Sequence, residues 1–139
     1  MVNNIYDTAR FKFATAGLNW NTAPLFLLAY SGNPDFHAED GFISDITTRA
    51  TTTFVQQSQA IIGKNVSPQG YLQTGTVMFE EVPIGLPITH FIMASVPAAL
   101  SAGVPLLFFD EAYDLPFTPN GLDIPVTPDW FQQRGWGRL

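Results

Sequence analysis

The chain has 139 residues and a net charge of −6; 46% of its residues are hydrophobic and only 13% charged, against roughly a quarter in an average soluble domain. That length suits a single domain able to remove roughly two-thirds of its unfolded surface from water. The composition argues against several classes. No lysine- or arginine-rich stretch provides a footprint for nucleic acid, the absence of cysteine rules out disulfides and thiolate metal sites, no apolar run approaches the roughly 18 residues of a membrane span, and no basic segment followed by an apolar run suggests a signal peptide.

Taken in order, the N-terminal segment predicts a short helix. Asn3 or Asn4 is placed to cap it, Asp7 lies in its first turn, and Ile5, Ala9, Phe13 and Ala16 recur at helical spacing. Arg10 and Lys12 stand toward its C-terminal end, and Gly17 is a natural residue just past the last turn. This stripe either serves the chain's own core or docks on a neighbouring subunit. Pro24 to Tyr30 reads as a buried strand, and Ser31 to Gly41 as an irregular polar loop. Phe42-Ile43-Ser44-Asp45-Ile46 is either one helical turn or an extended piece. Thr51 to Ile62 is rich in strand formers, but neither face is cleanly apolar, so a partly exposed strand is expected.

Tyr71 to Val82 predicts a strand broken near Gly75, and Ile88 to Val96 a buried one. Val104 to Phe109 is the most apolar run. Asn120-Gly121 is a strong tight-turn signal, followed by a last strand in which Leu122, Ile124 and Val126 alternate. Prolines cannot donate to a ladder, so that strand is an edge strand or meets something besides a neighbouring strand. Recurrent strands with turn signals between them, and no alternation with long helices, predict a mainly β fold: an antiparallel β-sandwich or barrel with one short N-terminal helix. The whole of 1–139 is expected to form this β-rich domain, with 130–139 as a possible interface tail. In that tail, Trp130, Phe131, Arg134 and Trp136 either cover the end of their own domain or anchor on a neighbour, since Trp and Arg dominate interface hot spots.

Two places invite a chemical reading. Asp35, His37 and Glu39 alternate, so an extended backbone would put all three on one side, where they could ligate a divalent ion; a solvated acidic loop is the simpler reading. Asp110, Glu111 and Asp114, with Asp45 or Glu80, offer generic carboxylate pairs of the kind glycoside hydrolysis needs. His90, in an apolar strand, reads as a hydrogen-bonded structural histidine. No nucleophile elbow, P-loop or His-Glu-x-x-His motif occurs, so no enzyme, cofactor or metal centre is expected.

The stretch Leu115 to Asp129, with Thr118-Pro119-Asn120-Gly121 and Asp123 within it, resembles the C-terminal segment of a family of small structural proteins of tailed bacteriophages. Asn4-Ile5-Tyr6-Asp7, Ala9-Arg10, Phe13, Gly17 and Asn19-Trp20 resemble that family's opening helix and the turn after it. Leu28-Ala29-Tyr30 and Phe42 to Ile46, followed by Arg49, are similar to its middle segment. The resemblance runs in order along most of the chain, and departs at Val82 to Pro97 and at Trp130 to Leu139. It implies a virion protein, foremost a capsid cement or decoration protein that binds the major capsid protein and copies of itself as a trimer or other homo-oligomer. Charge and hydropathy, as above, lead to the expectation of no direct contact with nucleic acid or membrane. The residues expected at the partner interface are Tyr6, Arg10, Trp20, Trp130, Phe131, Arg134 and Trp136. A neck, tail or baseplate component is the neighbouring expectation. A carbohydrate- or receptor-binding module, with Trp20, Trp130 and Trp136 as sugar platforms, is one of another class.

Overall fold

The computed structural model describes residues 3–110, 115–127 and 136–138. Its centre is a five-stranded antiparallel sheet in the order β1-β8-β7-β2-β3, built from β1 (Asn3–Ile5), β2 (Leu25–Gly32), β3 (Thr52–Gln57), β7 (His90–Ser95) and β8 (Val104–Phe109). The mainly β expectation is met. The sheet is not closed into a barrel, because its outer strands β1 and β3 do not pair with one another.

Cross-strand partners share a face. Tyr30 opposes His90, Leu28 opposes Ile92, and Ile92 opposes Phe108, which defines one face. Ala29 opposes Phe91, and Phe91 opposes Phe109, which defines the other. Both are covered. On the first, Phe36 packs between Tyr6 and Phe108, with Ile43 and Ile46 also buried. On the second, Phe79 and Phe117 pack on Phe91, and Trp136 on Phe109. The second face is therefore roofed by two small antiparallel ribbons: β10-β5-β4 (Gly137–Arg138, Tyr71–Gln73, Asn65–Val66) and β6-β9 (Val77–Phe79, Ile124–Val126). This explains the unbroken apolar runs. A strand buried on both faces has no solvent side on which to alternate, and every residue of β7 is buried.

The N-terminus departs from expectation. Asn3 and Asn4 do not cap a helix; Asn3–Ile5 pairs with Leu107–Phe109 as an edge strand. The Tyr6 N–H is taken by the Leu106 carbonyl and the Asp7 N–H by that of Ala38. Helix α1 (Asp7–Ala14) therefore starts only at Asp7. It ends one residue earlier than a glycine at Gly17 suggested. Ala16, at φ 57°, takes the left-handed position, while the Gly17 N–H reaches back to the Lys12 carbonyl and the Ala16 N–H to that of Phe13, the two bonds of a Schellman motif. The open reading at Phe42 to Ile46 resolves as helix α2 (Ile43–Thr47), whose first turn is held by the Asp45 carboxylate accepting from the Gly41 and Phe42 N–H groups.

The strand expected over Thr51 to Ile62 ends at Gln57. Beyond it the backbone is shared: Ser58 and Ile61 donate to Leu27 and Leu25 of β2, whereas Gln59 donates to Met78 of β6. This segment thus ties the central sheet to a roof ribbon. Pro125, as expected, sits in a strand with a single partner, opposite Met78. Gly121 has φ 86° in the turn after Asn120, whose side chain accepts from the Leu122 N–H. Among the described residues no helix is long and apolar enough to cross a membrane.

Candidate interaction surface

The expected interface residues separate sharply by burial. Tyr6 is fully buried, Trp20 is 3% exposed and Trp136 is 1% exposed. Trp20 Nε1 donates to the Gln73 carbonyl at 3.0 Å, and Trp136 Nε1 to Thr74 Oγ1 at 2.7 Å. Two consecutive residues at the end of β5, Gln73 and Thr74, thus satisfy both indoles, and the rings fill the chain's own core. They offer no face to a partner or a sugar. Arg10 is exposed on α1. Trp130, Phe131 and Arg134 lie outside the described residues, as do Glu111 and Asp114.

The chemical candidates resolve into local structure. His37 lies between two carboxylates, with Nε2 2.9 Å from Asp35 Oδ2 and Nδ1 3.4 Å from Glu39 Oε1. The hydrogen bond to Asp35 is the main reason its pKa is raised. Asp35, His37 and Glu39 do share a side, but among the described residues no group of three or more His, Asp or Glu is placed to hold a metal ion. Behind this loop the buried Asp40 carboxylate receives both terminal nitrogens of Arg49, one at 2.7 Å, which raises the arginine's pKa. Asp45 caps α2, and the Glu80 carboxylate accepts from Gln59 Nε2.

His90 is buried, stacked on Tyr30 at 5.4 Å and bonded through Nδ1 to Thr89 Oγ1 at 2.8 Å. Burial lowers its pKa to about 4, so it is the neutral structural histidine that the apolar strand suggested. Burial likewise pushes the Tyr30 hydroxyl well above the ordinary phenol range.

Three of the large apolar side chains that stand in solvent are aliphatic and lie together. Between β6 and β7 the chain runs Pro83-Ile84-Gly85-Leu86-Pro87, with all five residues exposed. The tip is rooted by Val82, which is fully buried and donates its N–H to the Leu122 carbonyl. It is also held by Asp123, whose Oδ1 accepts from the Glu81 N–H at 2.8 Å. Ile84 is 74% exposed, Leu86 52% and Leu122 65%. Gly121 lies against Ile84, with room for a Cβ at 3.6 Å, so the tip and the Asn120-Gly121 turn form one surface. Beside it opens a cleft of about 500 Å³ lined by Phe91, Phe117, Pro119, Leu122, Ile124 and Val126.

Sequence reasoning missed this tip. The available signal was the pair of prolines: Pro83 and Pro87 cannot donate to a ladder, so the aliphatic residues between them have no strand in which to be buried. Away from the tip, Phe11, at 68% exposed, stands on α1 between Arg10 and Lys12, and Phe42 and Ile62 are exposed as well. In comparison with known proteins, no family model, no curated protein and no solved structure matches the chain significantly.

Proposed function

We propose that the chain is a structural protein of a tailed-bacteriophage virion, and most concretely a capsid cement or decoration protein that binds the major capsid protein and stabilises the shell. The observation that carries an interface-forming role is the tip of Ile84 and Leu86 with Leu122 beside it. These are three large aliphatic side chains held in water by a rooted turn in a chain that is only 13% charged. Such contiguous apolar surface is what a protein partner covers. The phage assignment is supported by the ordered resemblance of residues 4–20, 28–49 and 115–129 to that family. Part of its C-terminal segment, Asn120 to Asp123, lies in the surface just described.

In this role each copy buries apolar area against its neighbours on the shell, the capsid subunits and its own copies, at roughly 25 cal/mol per Å² before ordering costs, and so opposes outward strain on the shell. A neck, tail or baseplate position uses the same surface chemistry. Stoichiometry in purified particles separates them. An abundance comparable to the major capsid protein is the expected result, a dozen or fewer copies per particle moves the protein to the neck or tail, and absence from particles ends the virion reading. With occupancy established, Ile84→Asp with Leu122→Asp is expected to lower incorporation while the isolated chain keeps its melting temperature; undiminished incorporation would show that the particle does not depend on this surface.

A further inference from the structure

The aliphatic tip and the exposed helix carry opposite charge. Around Ile84, Leu86 and Leu122 stand Glu80, Glu81 and Asp123, all exposed, and no lysine or arginine occurs in 80–90 or 115–127. On α1, Arg10 and Lys12 flank the exposed Phe11 ring, and among the described residues neither is paired with a carboxylate. Two other cations differ: Arg49 is paired with Asp40, and Lys64 donates to the Ala23 carbonyl. Asp7 is the single acid on the helix, at the opposite end from Lys12. The two surfaces sit on separate parts of the fold. Helix α1 packs against β8 at the N-terminal edge of the central sheet, whereas the tip hangs between β6 and β7 and is rooted on the segment leading into β9.

We infer that this chain associates head to tail with a second copy of itself, the acid-rimmed tip of Ile84, Leu86 and Leu122 on one copy seating on the basic-flanked Phe11 face of α1 on the next. Each contact then joins apolar side chains at its centre and opposite charges at its rim, the arrangement that favours register and encounter in protein interfaces. Pairing tip against tip about a two-fold axis has the reverse character, because Glu81 and Asp123 would face their own copies. Since the contact uses two different surfaces, it is heterologous: it closes into a ring where the rotation between copies permits and otherwise extends. This names the self-contact within the proposed virion role, yet it concerns the isolated chain and does not depend on that role.

The test uses mixtures. Sedimentation equilibrium of the wild-type chain over a concentration series is expected to show mass growing beyond one chain. Ile84→Asp destroys the tip and leaves the helix face; Phe11→Asp does the converse. Each alone should be a monomer. Mixed in equal amounts, they retain one intact tip and one intact helix face, so the mixture should form a species of two chains and stop there. Circular dichroism and melting of each variant establish that it is folded; Leu122→Asp and Arg10→Glu replace any that is not. A wild-type chain that stays monomeric at millimolar concentration overturns the inference, as do variants that associate like wild type, or a mixture that remains monomeric. Particle stoichiometry is a separate measurement. A chain that self-associates but is absent from particles removes the virion reading alone, and a chain abundant in particles yet monomeric in solution removes this contact alone.

Discussion

At the scale of single residues, two backbone positions show how conformation and chemistry disagree or agree. Ala16 holds the left-handed position of the α1 Schellman motif with its side chain in solvent. A left-handed L-residue is penalised by roughly 1–2 kcal/mol, more than the ~0.4–1 kcal/mol of unfolded-state entropy that glycine adds. Ala16→Gly is therefore expected to stabilise the chain by about 0.5–1 kcal/mol, read as a higher urea midpoint at unchanged slope; a lower midpoint would show that the helix ends otherwise. Gly121 is the matched case. A Cβ there meets only ordinary contacts with Ile84, so the cost of Gly121→Val, about 1–2 kcal/mol, comes from the positive φ. An unchanged denaturation midpoint in that variant would remove the turn geometry.

The two histidines extend the same scale to pH. His90 has a folded pKa of about 4, below the unfolded value of about 6.5. Between those values the unfolded chain binds the extra proton, so stability falls as pH falls through that window, by an amount on the order of 3 kcal/mol. His37 has the opposite sign. Its pKa is raised, first by the hydrogen bond to Asp35, so its contribution is fully present below about 6.5 and is lost as pH rises through the folded value. Ring-proton NMR should therefore find the pair on opposite sides of free histidine, and His90→Phe should lose much of the acid sensitivity that His37→Gln retains. A His90 that titrates at or above the free value contradicts its burial.

At the scale of elements, the legible parts were those whose signal is local or one-dimensional. Phe91-Ile92-Met93 and Leu106 to Phe109 read as buried strands because burial on both faces leaves an unbroken apolar run. Asn120-Gly121 read as a turn because positive φ is a property of the residue itself. The N-terminus misled because its outcome is tertiary: the Leu106 and Ala38 carbonyls claim the N–H groups of Tyr6 and Asp7, and no local propensity reports that. The tryptophans misled for a similar reason. Composition says that Trp20 and Trp136 must be covered, but only the fold supplies the Gln73 carbonyl and the Thr74 hydroxyl that allow the covering to be their own core. The exposed tip shows the converse, since hydropathy alone would bury Ile84 and Leu86, and the prolines beside them keep them out. Trp136 gives the element-scale test. Truncation to alanine opens a cavity against Phe109 and leaves Thr74 without its donor, so Trp136→Ala is expected to cost about 3–5 kcal/mol in chemical denaturation. A loss below ~1 kcal/mol would return this side chain to the surface role.

At the scale of the whole molecule, the central sheet and its roof differ in how they are stabilised. β2, β7 and β8 are interior strands, hydrogen-bonded on both sides and almost wholly buried. The β6-β9 ribbon has two strands of three residues each, with Pro125 removing one donor, and an isolated two-stranded ribbon is marginal in water. It is held down by side chains, Phe79 on Phe91 above all, together with the main-chain bond from Gln59 to Met78 and, on the segment leading into β9, the bridge between Phe117 and Ile88. Opening the ribbon exposes far less apolar surface than opening the sheet, and local openings of this kind occur well below the global unfolding energy. Native-state hydrogen exchange is therefore expected to resolve two classes. The amides of β2, β7 and β8 should exchange only through global unfolding, with strong denaturant dependence, while those of Val77, Phe79, Ile124 and Val126 that are protected should exchange through a smaller opening with weak dependence. The tip is rooted on this ribbon, through Val82 to Leu122 and Glu81 to Asp123, so covering the tip with a partner should slow the second class and leave the first unchanged. If both classes exchange with one energy and one denaturant slope, the roof and the sheet unfold as a single unit, and the tip rests on a support as rigid as the core.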